Sequence, residues 1–335
     1  MSTLGVEVLD RTGQPLPVAE LHELWPLGGW RSLERVPGGK NEHYRVHAGD
    51  GAFFLRRSHR GKSGEELAVQ LDLMRLLRHR GLPVPLPVLT GSGADHAVLG
   101  GRFWTLTREI PGERYDETSP AHLRQFGRTL ARYHDLTEDV DAGHGEPGLL
   151  TDLRARLEPG ELPPSIVARG HRLVQRLTEL APDLPRAFVH GGARRGSLLF
   201  RDDRVVGVLD FDSAHGDVRV LDLAVAVHDV GKVYTDPAAA DHKVRMDLNR
   251  VHDLLLAYTE TRSLRPSEAA ALPLLLEAKR VKRALGRLHR DHVGEPLSVN
   301  DHAKIELENQ RLAWLDEHRD TLAELCGSFV TTGRV

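Results

Sequence analysis

Apolar and polar positions recur with two different periods along this chain, and the change from one to the other divides it. In "HYRVHAGDGAFFLRRS" (43–58) two short apolar runs flank "AGDG", the pattern of a β-hairpin with a Gly/Asp turn. "GEELAVQLDLMRLLRHRG" (64–81) follows, with Leu67, Leu71, Met74 and Leu77 at helical spacing and Gly81 placed as a stop. "LPVPLPVLTG" cannot continue a helix, because its prolines remove donors and clash with the preceding turn. "HAVLGG" and "RFWTLTR" read as a second hairpin, ending at Pro111-Gly112. The first hundred residues are therefore expected to be strands around one main helix.

Beyond residue 112 the period becomes helical. "SPAHLRQFGRTLARYHDLT" predicts a helix with Ser119 as cap, Pro120 in its first turn, and Leu123, Phe126, Leu130 and His134 on one face. "SIVARGHRLVQRLTELAP" predicts another. Two short strands are expected around the polar turn "RDD", in "SLLF" and "RVVGVLDFDSA". Four further helices are expected in "VLDLAVAVHDVG", "VRMDLNRVHDLLLAYTE", "PSEAAALPLLLEAKRVKRALGRLHRD" and "DHAKIELENQRLAWLDEHRDTLAELC". The last, with Leu312, Trp314 and Leu322, is expected to close the helical part. "GHGEPGLLTDLRARLEPGELPP" reads as a lid or an exposed connection. The plan is an α+β, bilobal chain: a small β-rich lobe over 1–110, a hinge near Glu109 to Glu113, and a larger helical lobe over 111–335.

Composition narrows the function classes. The 335 residues are 40% hydrophobic and 28% charged, with a formal net charge of −3. That balance gives no global attraction to nucleic acid or to a membrane surface. No apolar run approaches the length of a membrane span. A single cysteine, Cys326, excludes an internal disulfide and a cysteine zinc site, and fits a reducing cytoplasm.

Three stretches carry candidate chemistry: "HGGARRGS" (190–197), "VLDFDSA" (208–214) and "LDLAVAV" (221–227). In order and spacing they resemble the catalytic loop, metal loop and following helix of the aminoglycoside phosphotransferase and choline kinase-like family, a branch of the protein-kinase-like fold. The resemblance runs from "LWPLGG" to the last helices; "GLPVPLPV", "LTREIPGE" and "LARYHDL" also fit the family's linker, hinge and helix. It implies phosphoryl transfer from ATP with magnesium, where positioning and charge neutralisation do most of the work. Asp210 falls on the metal-binding position; Asp212 is more readily a turn residue. Gly38 and Gly39 fall in the hairpin that covers the nucleotide, and Glu109 in the hinge. Asp222 matches the carboxylate that braces the catalytic region, or simply caps its helix. His190 and His134 are read as structural supports of the loop and core rather than as acids or bases, and His228-Asp229 as no more than a minor metal candidate.

The departures from the family are as informative. Gly192 stands where the loop Asp should be, and glycine can neither accept a proton nor orient a hydroxyl; losing a general base costs about 10²–10⁴-fold. Ser197 stands where the metal-binding Asn should be. Arg56 replaces the strand Lys, which is tolerable because Arg also holds phosphates. The position of the helical Glu falls on Gln70, with Glu65 or Glu66 as alternatives in another register. Arg194, two residues after Gly192, is placed either to touch a phosphate or other anion, or to stand in solvent with Arg195. Cationic loop residues would repel a polycationic aminoglycoside.

Taken together, these positions imply a member with little ordinary kinase turnover, a pseudokinase or repurposed enzyme that binds a nucleotide or anionic ligand, small molecule or peptide. The alternative is an active ATP- and magnesium-dependent phosphotransferase acting on a hydroxyl of a small metabolite or peptide. A scaffold with an empty site is the third reading.

Overall fold

The computed structural model describes residues 8–38, 40–143, 146–158, 162–233, 244–292 and 298–330. They form two compact units, one of residues 1–113 with 206–209 and one of residues 114–205 with 210–335.

The first unit is built on a five-stranded antiparallel sheet. It contains α1 (Val18–Leu24), β1 (Trp30–Val36), β2 (Glu42–Ala48), β3 (Gly51–Arg57), α2 (Gly64–His79), β4 (Ala97–Leu99) and β5 (Arg102–Arg108), with strand order β1-β2-β3-β5-β4. The "AGDG" hairpin forms as expected, with Ala48 opposite Gly51. So does β4–β5, turning through Gly100 and Gly101, both at positive φ. Alternation puts Tyr44, Val46, Phe53, Leu55, Trp104 and Leu106 into the core. Helix α2 starts in a Ser63/Glu66 capping box and stops at Gly81, whose φ of +81° suits glycine.

Helix α1 was not expected. It is only seven residues long and its packing reaches far along the chain: Leu21 and Trp25 are buried, and Trp25 Nε1 donates to the Val88 carbonyl at 2.9 Å. The inclusion of residues 206–209 also has a long-range cause, since Val208 N donates to the Pro83 carbonyl at 2.7 Å.

The second unit is mainly helical. Strand β6 (Glu113–Arg114) stands at its start, followed by α3 (Pro120–Leu136), α4 (Gly148–Leu157), α5 (Pro164–Leu180), β7 (Arg186–Val189), β8 (Leu198–Arg201), β9 (Arg204–Val208, of which 206–208 count with the first unit) and β10 (His215–Val218). Then come α6 (Val220–Gly231), β11 (Lys232–Val233), β12 (Arg245–Met246), α7 (Leu248–Thr259), α8 (Pro266–His292), α9 (Val299–Glu317) and α10 (Arg319–Gly327). Ser119 caps α3 as expected, accepting from His122 N at 3.2 Å.

Four sequence expectations change here. The stretch read as a lid or connection contains α4, whose Leu149, Leu150, Leu153 and Leu157 are buried. The final helix is two helices, parted at His318. Residues 245–246 pair with β11, and Asp247 caps α7 by accepting from Asn249 N and Arg250 N. Strand β10, absent from the sequence reading, runs antiparallel to β7 with Gly216 opposite Phe188.

Candidate active site

The candidate residues lie in both units. In the second, β7 delivers the loop His190–Ser197, and one carboxylate fixes where the loop begins. Asp222, fully buried on α6, accepts from His190 N at 2.6 Å and from Gly191 N at 2.8 Å. Its Oδ2 also lies 3.3 Å from His134 Nε2, and the other ring nitrogen, His134 Nδ1, is 2.9 Å from the Tyr258 hydroxyl. A chain α7–α3–α6–loop is thereby closed through the buried side chains of Tyr258, His134 and Asp222. Asp222 is not the N-cap of its helix, since that place belongs to Arg219. Its side chain is spent on the loop. His134 braces the Asp222 carboxylate, and His190 acts on the backbone, its Nδ1 accepting from Gly192 N at 3.3 Å. Neither the sequence spacing nor the motif signalled Tyr258.

Gly191 and Gly192 differ in what they require. Gly191 sits at φ +70°, and a Cβ there would stand 2.0 Å from the Ser213 carbonyl oxygen. At Gly192 the φ is ordinary and a Cβ would meet only His190 Nδ1 at 3.7 Å and Cε1 at 3.9 Å. The base position lacks a side chain by residue type, not for want of room.

The two loop arginines also separate. Arg195 is buried: its N and Nε both lie against Asp229 Oδ2, at 2.8 and 3.1 Å, and Nη1 is 2.6 Å from Glu117 Oε1. Asp229 also accepts from Lys232 at 2.6 Å, so it is a structural anchor rather than a metal ligand. Arg194 is exposed, and its side chain makes no ion pair or hydrogen bond among the described residues. Ser197, 5% exposed, donates its hydroxyl to the Gly192 carbonyl at 3.1 Å.

Asp210 follows β9. Its backbone is left-handed, φ +65° and ψ +62°, and its exposed carboxylate has no partner among the described residues. Asp is one of the few side chains that tolerate this conformation. Phe211 behind it is buried against His190, ring centroids 4.9 Å apart. Among the described residues no group of three or more His, Cys, Asp or Glu side chains forms a metal cage. A magnesium ion does not need one: it is commonly held by one or two carboxylates with water and substrate phosphates. Asp210 fits that role; Ser197, uncharged and turned to the backbone, adds little.

In the first unit, Arg56 is half-buried on β3 with Nε unpartnered, and Gln70, 5% exposed on α2, has an unpartnered Oε1. The two do not bond to each other through those atoms. Glu109 forms a bidentate pair with Arg45, at 2.8 and 3.0 Å, and its N donates to the Ala52 carbonyl. Gly38 is exposed at φ +123°, which favours glycine; Gly39 lies outside the described residues.

The family can now be tested against known proteins. A sequence model of the phosphotransferase enzyme family matches residues 32–262. The chain belongs to the phosphotransferase enzyme family. Among curated relatives of this phosphotransferase-family chain, homoserine kinase of Methylobacillus glycogenes is 31% identical over 318 residues, covering 91% of this chain and 94% of the relative. Homoserine kinase of Granulibacter bethesdensis is 29% identical over 259 residues, covering 75% and 78%. Solved structures share the fold at low identity. An amicoumacin kinase in complex with AMP-PNP, Ca²⁺ and Ami has a TM-score of 0.67 and 17% identity, covering 89% of this chain and 92% of that one. A choline/ethanolamine kinase family protein from Mesorhizobium loti has a TM-score of 0.64 and 18% identity, covering 92% and 96%. The α+β, protein-kinase-like fold, with an antiparallel-sheet lobe and a helical lobe, is thus that of the family. No helix among the described residues is long and apolar enough to cross a membrane.

The brace around Asp222 is expected to make this phosphotransferase-family protein sensitive to acid. Burial would raise the Asp222 carboxyl, but His134 and the His190 amide outweigh it and hold it below its ordinary value. Asp229 is also held low: burial opposes, and Lys232 and Arg195 prevail. Depressed carboxyls stabilise above their unfolded pKa and lose that contribution as pH falls through the folded value. His134 and His228 are pushed down, chiefly by burial, so folding favours their neutral forms and costs stability once pH drops below about 6.5, the unfolded value. Urea midpoints are therefore expected to fall in two stages, below about pH 6.5 and again below about pH 4. An unchanged midpoint from pH 7.5 to 5 would remove the histidine stage.

Proposed function

We propose that this protein transfers a phosphoryl group from ATP to a hydroxyl of a small acceptor, at a rate lowered by the absent loop base. The observation that carries the reading is Asp210: a carboxylate with no protein partner among the described residues, in a left-handed conformation at a strand end, beside a loop whose backbone is pinned by Asp222. The curated relatives named homoserine kinase support the catalytic reading and suggest an acceptor of amino-acid size. Asp210 would hold magnesium, and the metal would neutralise charge on the transferring phosphate. Arg194 would hold an anionic oxygen. In a loose transition state the acceptor's proton leaves late, which is why a missing base slows the reaction without abolishing it.

A second reading is favoured by Gly192 and Ser197. One has no side chain and the other spends its hydroxyl on the first. On that reading the protein binds nucleotide with little turnover. ADP release from ATP in the presence of L-homoserine, compared between the parent and Asp210→Ala, separates the two. A measurable parental rate that falls at least 100-fold in Asp210→Ala is expected. Magnesium-dependent stabilisation by ATP with no turnover at all would leave the binding reading standing, and no nucleotide effect would defeat both.

A further inference from the structure

The second unit carries cations that the site above does not explain. A small pocket opens among α6, β12, α8 and α9. Met246, Leu276, Trp314 and Leu315 give it apolar walls, and Arg280 and Arg311 give it a charged floor. Arg280 is 2% exposed, Arg311 9%, and among the described residues one carboxylate, Glu308 at 2%, lies against both. Glu308 Oε1 accepts from Arg311 Nη1 at 3.0 Å, and Oε2 lies 3.3 Å from Arg280 Nη1 without a hydrogen bond. Arg280 Nη1 also donates to His228 Nε2 at 2.9 Å, so that histidine is held neutral and offers no counter-charge. The Nε–H groups of Arg280 and Arg311 are buried and unpartnered.

Among the described residues, two guanidiniums face one carboxylate here, an excess of positive charge out of water. The excess grows along α8. Lys279 and Arg283 are half-buried and make no ion pair among the described residues. Exposed Arg194, from the loop, adds its charge to both Arg280 and Arg283. Lys232, also at the pocket, is already matched by Asp229. Burial, reinforced by Arg280, Arg283 and Lys282 and opposed by Asp222, pushes the Lys279 ammonium down to about 7.

A buried ion pair that serves only the fold is balanced, as Arg219 and Glu268 are, one cation to one carboxylate. Unbalanced buried charge destabilises a fold unless something neutralises it. Arginines with free donors at an apolar-walled pocket are suited to carboxylate and phosphate oxygens.

We propose that this α6–α8–α9 pocket binds a small molecule through a carboxylate or phosphate group, and that this molecule is the phosphoryl acceptor. The second clause rests on the phosphotransfer reading; the first does not. Helix α6 ties the two together: Asp229 accepts from Arg195 N of the catalytic-type loop, and His228 beside it lines the pocket.

The test is thermal unfolding of the full chain without nucleotide, titrated with inorganic phosphate or citrate against sodium chloride of matched ionic strength, with glycerol and spermidine as neutral and cationic controls. A saturable rise with phosphate, citrate or both is expected, and none with the controls. Which anion acts identifies the preferred group. The double variant R194Q/R283Q, which leaves fully buried positions untouched, should weaken the apparent affinity at least tenfold. R280Q should abolish the effect if it folds. The proposal is overturned if neither anion exceeds chloride, or if the double variant binds as the parent does. Anion binding with no phosphorylation of any acceptor would leave the pocket in place and defeat the phosphotransfer reading. Phosphorylation without anion binding would defeat the pocket alone.

Discussion

Gly192→Asp is expected to raise the rate of phosphoryl transfer by about 10²–10⁴-fold, the usual worth of a positioned general base. The substitution restores the carboxylate that the family's loop carries, at a position where the backbone accepts one. A Cβ at 192 makes only ordinary contacts with His190, and φ needs no glycine. The neighbouring Gly191 offers no such freedom, with its Cβ position 2.0 Å from a carbonyl oxygen. Single-turnover phosphorylation of L-homoserine by ATP, with Gly192→Asn as the size-matched control lacking a base, is the direct measurement. A folded Gly192→Asp protein no faster than Gly192→Asn would show that the position does not face an acceptor hydroxyl. Loss of the gain in Gly192→Asp/Asp210→Ala would tie it to the metal position.

Asp222→Asn is expected to cost about 1–3 kcal/mol of unfolding free energy, the range for leaving a buried hydrogen-bonding group unsatisfied. The carboxylate accepts two backbone N–H groups and faces His134, all out of water. An amide can accept on one oxygen but presents N–H groups to donors on the other side, leaving at least one buried donor unsatisfied. Urea unfolding should show a lower midpoint at unchanged m-value. A loss under about 1 kcal/mol would mean that the brace is held by packing instead. The same variant should impair Asp210-dependent turnover, since the start of the loop would lose its anchor.

Much of this was legible from residue pattern. The hairpins at "AGDG" and "VLGGRF", the α2 stop at Gly81 and the Ser119 cap are local events, set by turn chemistry and side-chain spacing within about ten residues. The order of "HGGARRGS", "VLDFDSA" and "LDLAVAV" was enough to indicate the family. Other elements were not legible because their causes are distant. Helix α1 is held by a tryptophan that donates to Val88. Strand β10 exists through its pairing with β7 about thirty residues earlier. Helix α4 sits between prolines and glycines, and only the burial of its leucines tells it from a loop.

The same division runs through the site. By itself the sequence determined the residue types: no base at Gly192, a hydroxyl at Ser197, a carboxylate at Asp210, two arginines at 194 and 195. Those follow from identity and order alone. Only the tertiary structure decided what each is free to do. Arg195 is consumed by Asp229 and Glu117, which lie 34 and 78 residues away in sequence, whereas Arg194 keeps its charge available. "EAKRVKR" in the sequence is an ordinary charged stretch of helix. In three dimensions Arg280 is carried inside with Arg311 and Glu308, which lies against both. The physical reason is common to both cases: a charge is defined by its residue, but its worth depends on solvent exposure and on partners that the chain brings from far away.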